Sequence, residues 1–231
     1  MPLLELATGS TLGAVLGIRH ALEPDHLAAV STLVADQRRP AGGVILGLCW
    51  GLGHTLALVA VGVALIGLRA RMPPQMADLF ELAVAVMLIA LGVRAIRRAA
   101  LQGPAGPLAR HQHGPIVHVH PGVPQHLHVG SLTLARRPLL VGIVHGVAGS
   151  GALTALVVAA LPTAAARITY MLLFGLGSTL GMAVLSGLLG WPLAQLGRHA
   201  GASRTISLAV GCLSTTLGVL WGIPLVARLF R

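Results

Sequence analysis

The stretch GIRHALEPDHLAAVSTL (residues 17–33) places five ionisable side chains within eight positions of an otherwise apolar chain. These are Arg19, His20, Glu23, Asp25 and His26. The stretch lies inside a continuous apolar run, Leu3–Val34, that is longer than one perpendicular crossing of a bilayer requires. Charged groups at membrane depth cost several kcal/mol each, so by default they mark a functional site.

The composition is that of a membrane protein. Of 231 residues, 55% are hydrophobic and 10% are charged, and the mean hydropathy is +0.84. Apolar runs of about 20 residues, the length that crosses a hydrocarbon core of roughly 30 Å, indicate an all-α, polytopic protein with six transmembrane helices. The predicted spans are Leu3–Val34, Gly42–Leu68, Leu79–Ile96, Leu139–Leu161, Ile168–Leu193 and Ile206–Val226.

The sixteen basic residues are all arginines, and nearly all lie between or beside the predicted spans. In this arrangement the net charge of +10 reports membrane orientation, and no nucleic-acid partner is expected. One side holds Arg38, Arg39, Arg94, Arg97, Arg98, Arg110, Arg136, Arg137, Arg198 and Arg204. The other side holds Arg69, Arg71, Arg167, Arg228 and Arg231. The positive-inside rule therefore predicts a multi-pass protein of the bacterial cytoplasmic (inner) membrane, with both termini outside and the odd-numbered loops in the cytoplasm.

The second half of the sequence resembles the first. GIRH (17–20) matches GIVH (142–145), WGLGHTL (50–56) matches FGLGSTL (174–180), and LAV and LGV (82–84, 91–93) recur at 208–210 and 217–219. We interpret residues 1–98 as a first three-span repeat, 99–138 as a connecting loop and 139–231 as a second repeat. An odd number of spans turns the second copy upside down, and inverted repeats are typical of secondary transporters with a site near the bilayer midplane.

The ionisable stretch needs a break in its helix. At about 100° per residue, an unbroken helix would point His20 and Asp25 about 140° apart and could not aim both at one ion. Pro24 predicts the break, because it has no N–H for the carbonyl of His20 and its ring clashes with that carbonyl. Arg19 and Glu23, four residues apart, could instead form a structural ion pair on one helix face.

Two imidazoles and a carboxylate suit first-row divalent metals such as Ni²⁺, Co²⁺ or Zn²⁺. His54 in the next span, flanked by Gly51 and Gly53 that permit close helix packing, is a candidate fourth ligand. The alternative is that His54 is a hydrogen-bonded packing residue.

HALEPDH (20–26) followed by LGHT (52–55) resembles the nickel/cobalt transporter superfamily, whose signature is His-Ala-x-Asp-Ala-Asp-His on one span and Leu-Gly-His-Ser/Thr on the next. Glu23 and Pro24 replace the usual Asp-Ala, and EPDHLAAVSTL with six spans is closer to the urease-accessory nickel permease branch. The resemblance implies that His20, Asp25, His26 and His54 handle the metal, with His145 of HGVAGSGALT (145–154) facing them from the second repeat. Supporting residues would be Arg19, Glu23, Pro24, Thr55, Ser150 and Ser178.

The loop between the repeats carries three His-x-His pairs: His111/His113, His118/His120 and His126/His128. Side chains two apart share a face of an extended chain, so each pair could chelate a divalent ion. We interpret the loop as a cytoplasmic metal buffer or sensor that transport does not require. With interspersed Pro and Gly, it is expected to be irregular and mobile. The alternative is a linker whose histidines are only compositional.

These observations predict a permease that carries Ni²⁺, or also Co²⁺, as its transported substrate, with no permanently bound cofactor and a link to the maturation of nickel enzymes such as urease. No GxxxxGK[ST] motif for ATP hydrolysis is present. Uptake is the expected direction, and efflux is the first alternative. A membrane acyltransferase is the second, because His20 and Asp25 also fit a His-x₄-Asp pattern.

Overall fold

A computed structural model describes residues 2–35, 40–68, 72–101, 109–113, 116–120, 126–129, 132–148, 161, 163–196 and 200–230. In these ranges the helices are α1 (Pro2–His20), α2 (Pro24–Val34), α3 (Pro40–Gly67), α4 (Pro74–Leu101), α5 (Arg136–Ala148), α6 (Ala164–Leu196) and α7 (Ala200–Leu229). The strands are β1 (Ala109–His113), β2 (Ile116–His120), β3 (His126–Val129) and β4 (Leu132–Ala135).

The first predicted span is two helices, α1 and α2, separated by three residues. Pro24 begins α2 and cannot donate to the carbonyl of His20. That carbonyl accepts instead from the backbone N–H of Glu23 at 3.0 Å. Glu23 itself is extended, with φ −64° and ψ 148°, as sterics favour for a residue before proline. The break that the sequence predicts is therefore present.

Four helices are long and apolar enough to cross a membrane, judged by length and composition: Gly42–Gly67, Pro74–Leu101, Ala164–Leu193 and Gly201–Leu229. They coincide with the second, third, fifth and sixth predicted spans. The fourth predicted span starts within α5, and residues 149–160 lie outside the described part of the chain. The count of six spans thus stays a prediction. Exposed apolar side chains such as Leu188, Ile223 and Phe230 fit helices that face lipid.

The described chain is helical, as predicted, except between α4 and α5. That connection contains two antiparallel hairpins, β1–β2 and β3–β4, which the all-α prediction did not include. β2 has the sequence IVHVH, in which β-branched residues alternate with histidine. β-branched residues favour strands, and β2 pairs with β1 as an antiparallel hairpin.

Helices from the two halves pack in reciprocal pairs: α1 contacts α6, α5 contacts α3, α3 contacts α6 and α4 contacts α7. A Cβ on Gly17 would meet Phe174 O and Ser178 N, and a Cβ on Gly142 would meet Trp50 O and His54 N. These two contacts are equivalent under the sequence offset of about 125 residues. The close contacts at Gly17 and Gly142 thus match the sequence offset, and the inverted repeat itself stays a prediction.

We expect Gly142→Ala to destabilise the protein, because its methyl group would lie within 3.0 Å of Trp50 and His54 backbone atoms. Overpacking of this kind costs about 1–3 kcal/mol and should lower the thermal unfolding midpoint of detergent-solubilised protein. Gly201→Ala is the matched control, since nothing lies within 4 Å of that position. Equal midpoints for the two variants would contradict the close approach of α3 and α5.

Candidate metal centre

Five polar side chains from four helices meet in the interior. His20 ends α1, Asp25 and His26 lie in the first turn of α2, His54 lies midway along α3, and His145 lies near the end of α5. His26, His54 and His145 have no exposed surface, and His20 and Asp25 are 4% exposed. We call these five residues the buried cluster. The structure thus brings together all five residues that the sequence proposed as metal ligands.

The break after α1 brings the first two imidazoles together. The ring centroids of His20 and His26 are 4.5 Å apart, although an unbroken helix would separate their directions by about 120°. His54 joins them, with its ring 5.1 Å from that of His20 and 5.6 Å from that of His26. His145 approaches from the other half, with its ring 4.4 Å from that of His26.

Two overlapping groups in the buried cluster have the spacing of a metal site. His20, His26 and His54 form the imidazole triad, and Asp25, His26 and His145 form the carboxylate triad. In each group one donor atom per residue lies within 4.8 Å of the others. Imidazole nitrogen with at most one carboxylate oxygen is a donor set for first-row divalent metals.

In three of the four histidines, one ring nitrogen lies within hydrogen-bonding distance of a carboxylate oxygen. His20 Nδ1 lies 3.0 Å from Glu23 Oε2, and His26 Nδ1 lies 3.1 Å from Asp25 Oδ1. His145 Nε2 lies 2.9 Å from Asp25 Oδ2. Their other ring nitrogens, and both nitrogens of His54, are buried without a hydrogen-bond partner in the described part of the chain. Buried polar atoms are normally paired, so these nitrogens are the donors available to an ion.

Two aromatic residues that the sequence reading did not select border the cluster. Trp50 stacks on His26 at 5.5 Å with an interplanar angle of 17°, and it meets His145 edge-on at 5.6 Å. Phe174 lies 5.3 Å from His20. Trp50 and Phe174 occupy equivalent positions in WGLGHTL and FGLGSTL, which is the signal that could have identified them.

The predicted supporting residues have different positions. Glu23 contacts His20 rather than forming the alternative ion pair with Arg19, whose side chain is exposed on α1. The Thr55 hydroxyl lies 2.9 Å from Gly175 O and 3.0 Å from the Thr179 hydroxyl, so it joins the two halves instead of facing the imidazoles.

The two predicted serines differ in what the structure describes. Ser178 occupies the position equivalent to His54 and is fully buried, and its hydroxyl has no partner among the described residues. Ser150 lies outside the described residues.

The six histidines between the repeats are not part of the buried cluster, and the structure corrects the expectation that they lie in an irregular loop. All six lie in strands that pair as hairpins, and in β2 the β-branched residues Val117 and Val119 alternate with the histidines. They are His111 and His113 in β1, His118 and His120 in β2, and His126 and His128 in β3.

The hairpin register fixes which of these backbone positions share a face. His111 pairs with His118, so positions 111, 113, 118 and 120 lie on one face of the first hairpin. In the second hairpin His126 pairs with Ala135 and His128 with Thr133, so that face carries only one His-x-His pair. The side chains of all six fall outside the described part of the structure, and metal binding by this segment stays a prediction.

The model of the NicO family, described as high-affinity nickel-transport proteins, matches residues 10–230. The chain belongs to this family. The resemblance read from HALEPDH and LGHT is thereby confirmed, and so is the class: this NicO protein is a multi-pass membrane transporter and not an enzyme. The urease accessory protein UreH of Bacillus sp. (strain TB-90) is 31% identical over 219 residues, covering 95% of this chain and 92% of that protein. No solved structure matches the chain.

We expect Pro24→Ala to weaken Ni²⁺ binding although it removes no ligand. An alanine N–H can reach the carbonyl of His20, so the helix can continue and carry His26 away from His20. A loss of about 10–100-fold in affinity, the usual effect of misplaced ligands, should be measurable by calorimetry on purified protein. Pro192→Ala in α6, an exposed proline inside a helix, is the control. Unchanged affinity in Pro24→Ala would show that the break does not position the site.

Proposed function

We propose that this NicO protein is a secondary permease that carries Ni²⁺, and also Co²⁺, through the buried cluster near the bilayer midplane. The observation that carries the proposal is the concentration of five donor residues, none more than 4% exposed, inside an apolar helical protein. Burying such groups in a membrane costs several kcal/mol each, so their presence normally marks a substrate path or another functional site. Nitrogen donors with one carboxylate favour Ni²⁺, Co²⁺ and Zn²⁺ over Mg²⁺ or Ca²⁺.

The arrangement of the cluster supports transport by alternating access of two inverted three-span repeats. His20, Asp25, His26 and His54 belong to the first half and His145 to the second, so the cluster lies at the interface between halves. The reciprocal contacts of Gly17 and Gly142 support a two-fold relation between the repeats. Rocking one half against the other would open the cluster to one side at a time.

Uptake is the direction that the membrane potential favours. Moving a divalent cation inward gains about 4.6 kcal/mol per 100 mV, at about 2.3 kcal/mol for each charge. That free energy corresponds to roughly a thousandfold accumulation, so uptake needs no ATP. With both termini outside and the His-rich segment in the cytoplasm, arriving ions would emerge on the side of that segment. The similarity to a urease accessory protein favours delivery to a nickel enzyme such as urease.

Cells that express this NicO protein should accumulate ⁶³Ni, and His20→Ala should reduce the accumulation to about a tenth or less, because it removes one donor of the imidazole triad. Excess Co²⁺ should compete with the label more strongly than Mg²⁺. Thr205→Val, which removes only an exposed hydrogen bond to Gly201 O within the same helix, is the control and should keep most of the uptake. A transporter working in the efflux direction would instead lower cellular nickel when expressed.

Replacing the histidines of β1, β2 and β3 by asparagine should leave the initial rate of ⁶³Ni uptake within about twofold of wild type, because these residues lie outside the buried cluster, in the connection between α4 and α5. The same protein should bind fewer Ni²⁺ ions per chain in equilibrium dialysis. Loss of uptake would make the segment part of the pathway rather than a cytoplasmic buffer.

A further inference from the structure

The imidazole triad and the carboxylate triad share one residue, His26. The two ring nitrogens of His26 have different surroundings. Nδ1 lies 3.1 Å from Asp25 Oδ1, and Nε2 has no hydrogen-bond partner among the described residues. Trp50 stacks nearly parallel to the ring, with 17° between the planes, and so fixes the direction of both nitrogens. A ring held in this way can serve two sites, one with each nitrogen.

The imidazole triad is ready for an ion. The Nδ1–H groups of His20 and His26 donate to Glu23 and Asp25, and this leaves the lone pair of each ring on Nε2. A carboxylate that accepts from one nitrogen orients the other for a metal and raises its basicity. Both nitrogens of His54 are buried without a partner in the described chain. All three residues thus offer a free nitrogen without any rearrangement.

The carboxylate triad is closed by its own hydrogen bonds. Asp25 accepts from His26 Nδ1 at 3.1 Å and from His145 Nε2 at 2.9 Å, so the donor atoms of this group are occupied by one another. An ion that takes the place of the two protons between Asp25 and these imidazoles requires both bonds to break and each imidazole to carry its proton on its other nitrogen. The other nitrogens, His26 Nε2 and His145 Nδ1, have no partner in the described residues and can hold those protons.

We propose that the buried cluster contains two cation positions that are occupied in turn: the imidazole triad binds the ion first, and the carboxylate triad receives it when the bonds of Asp25 open. This inference rests on the proposed function and adds a sequence of steps to it. Two dications on one imidazole with one carboxylate between them would repel strongly in a buried site, so one ion moves between the positions. Asp25 is then a positioning residue in the first state and a ligand in the second.

In this proposal His145 is needed for transport but not for the first binding step. The bond between Asp25 and His145 is the one in the cluster that joins the two halves of the chain. An ion in the imidazole triad touches only the first half, whereas an ion in the carboxylate triad touches both. Transfer between the triads therefore couples the ion to the relative position of the halves, which is what alternating access requires.

The test compares His54→Ser with His145→Ala in full-length protein in nanodiscs and proteoliposomes. Both histidines are fully buried, and serine is the residue that the second repeat carries at the position equivalent to His54. We expect His54→Ser to weaken equilibrium Ni²⁺ binding by about tenfold or more and His145→Ala to leave it within about threefold. Both variants should lose at least about 90% of ⁶³Ni transport.

The visible spectrum of bound Co²⁺ gives a second readout. It should be the same in wild type and His145→Ala, because the first position contains no donor from His145. If His145→Ala weakens binding as much as His54→Ser, the cluster is one site and the two-position proposal is wrong, while the permease stands. If both variants transport like wild type, the proposed function itself fails. Size-exclusion profiles check folding, and His145→Gln replaces His145→Ala if the latter aggregates.

Discussion

Pro24 has no N–H to donate to the carbonyl of His20, and the approach of His20 to His26, around which the buried cluster forms, follows from that missing hydrogen bond. The carbonyl accepts instead from the Glu23 N–H at 3.0 Å, so α1 ends at His20 and α2 begins at Pro24. Without the break, His20 and His26 would project from different sides of one helix. With it, their rings are 4.5 Å apart.

A broken helix is tolerated at membrane depth only where protein covers the freed backbone groups. Here the cover comes from neighbouring helices of both halves, since eight of the eleven residues of α2 are buried and α2 contacts α3, α4, α6 and α7. Glycines such as Gly17 and Gly142 make this possible, because they allow neighbouring backbones to approach closer than any side chain would permit. The same packing that shields the break also brings His145 to Asp25.

Two carboxylates, those of Glu23 and Asp25, lie next to the imidazoles of the cluster. Glu23 and Asp25 each contact imidazole nitrogens, and in the proposed first position they orient these donors instead of facing the ion directly. This arrangement gives a largely nitrogen-lined position in a site that is closed to solvent. It suits a transporter, because an ion bound by neutral imidazoles can leave more easily than one held by several carboxylates.

The sequence by itself determined the membrane class, the break at Pro24, the five residues that meet in the buried cluster and the family, because proline chemistry, helical period and motif spacing are local properties of the chain. Four of the six expected spans are found as long apolar helices, and the short strands between α4 and α5 were not anticipated. Only the tertiary structure decided which nitrogens are free, that Glu23 contacts His20, and that Trp50 stacks on His26. The Glu23 contact follows from the backbone geometry of the break, whereas the stacking of Trp50 and the contact of Asp25 with a histidine 120 residues away depend on distances between helices. Helix packing fixes such distances where no local pattern can.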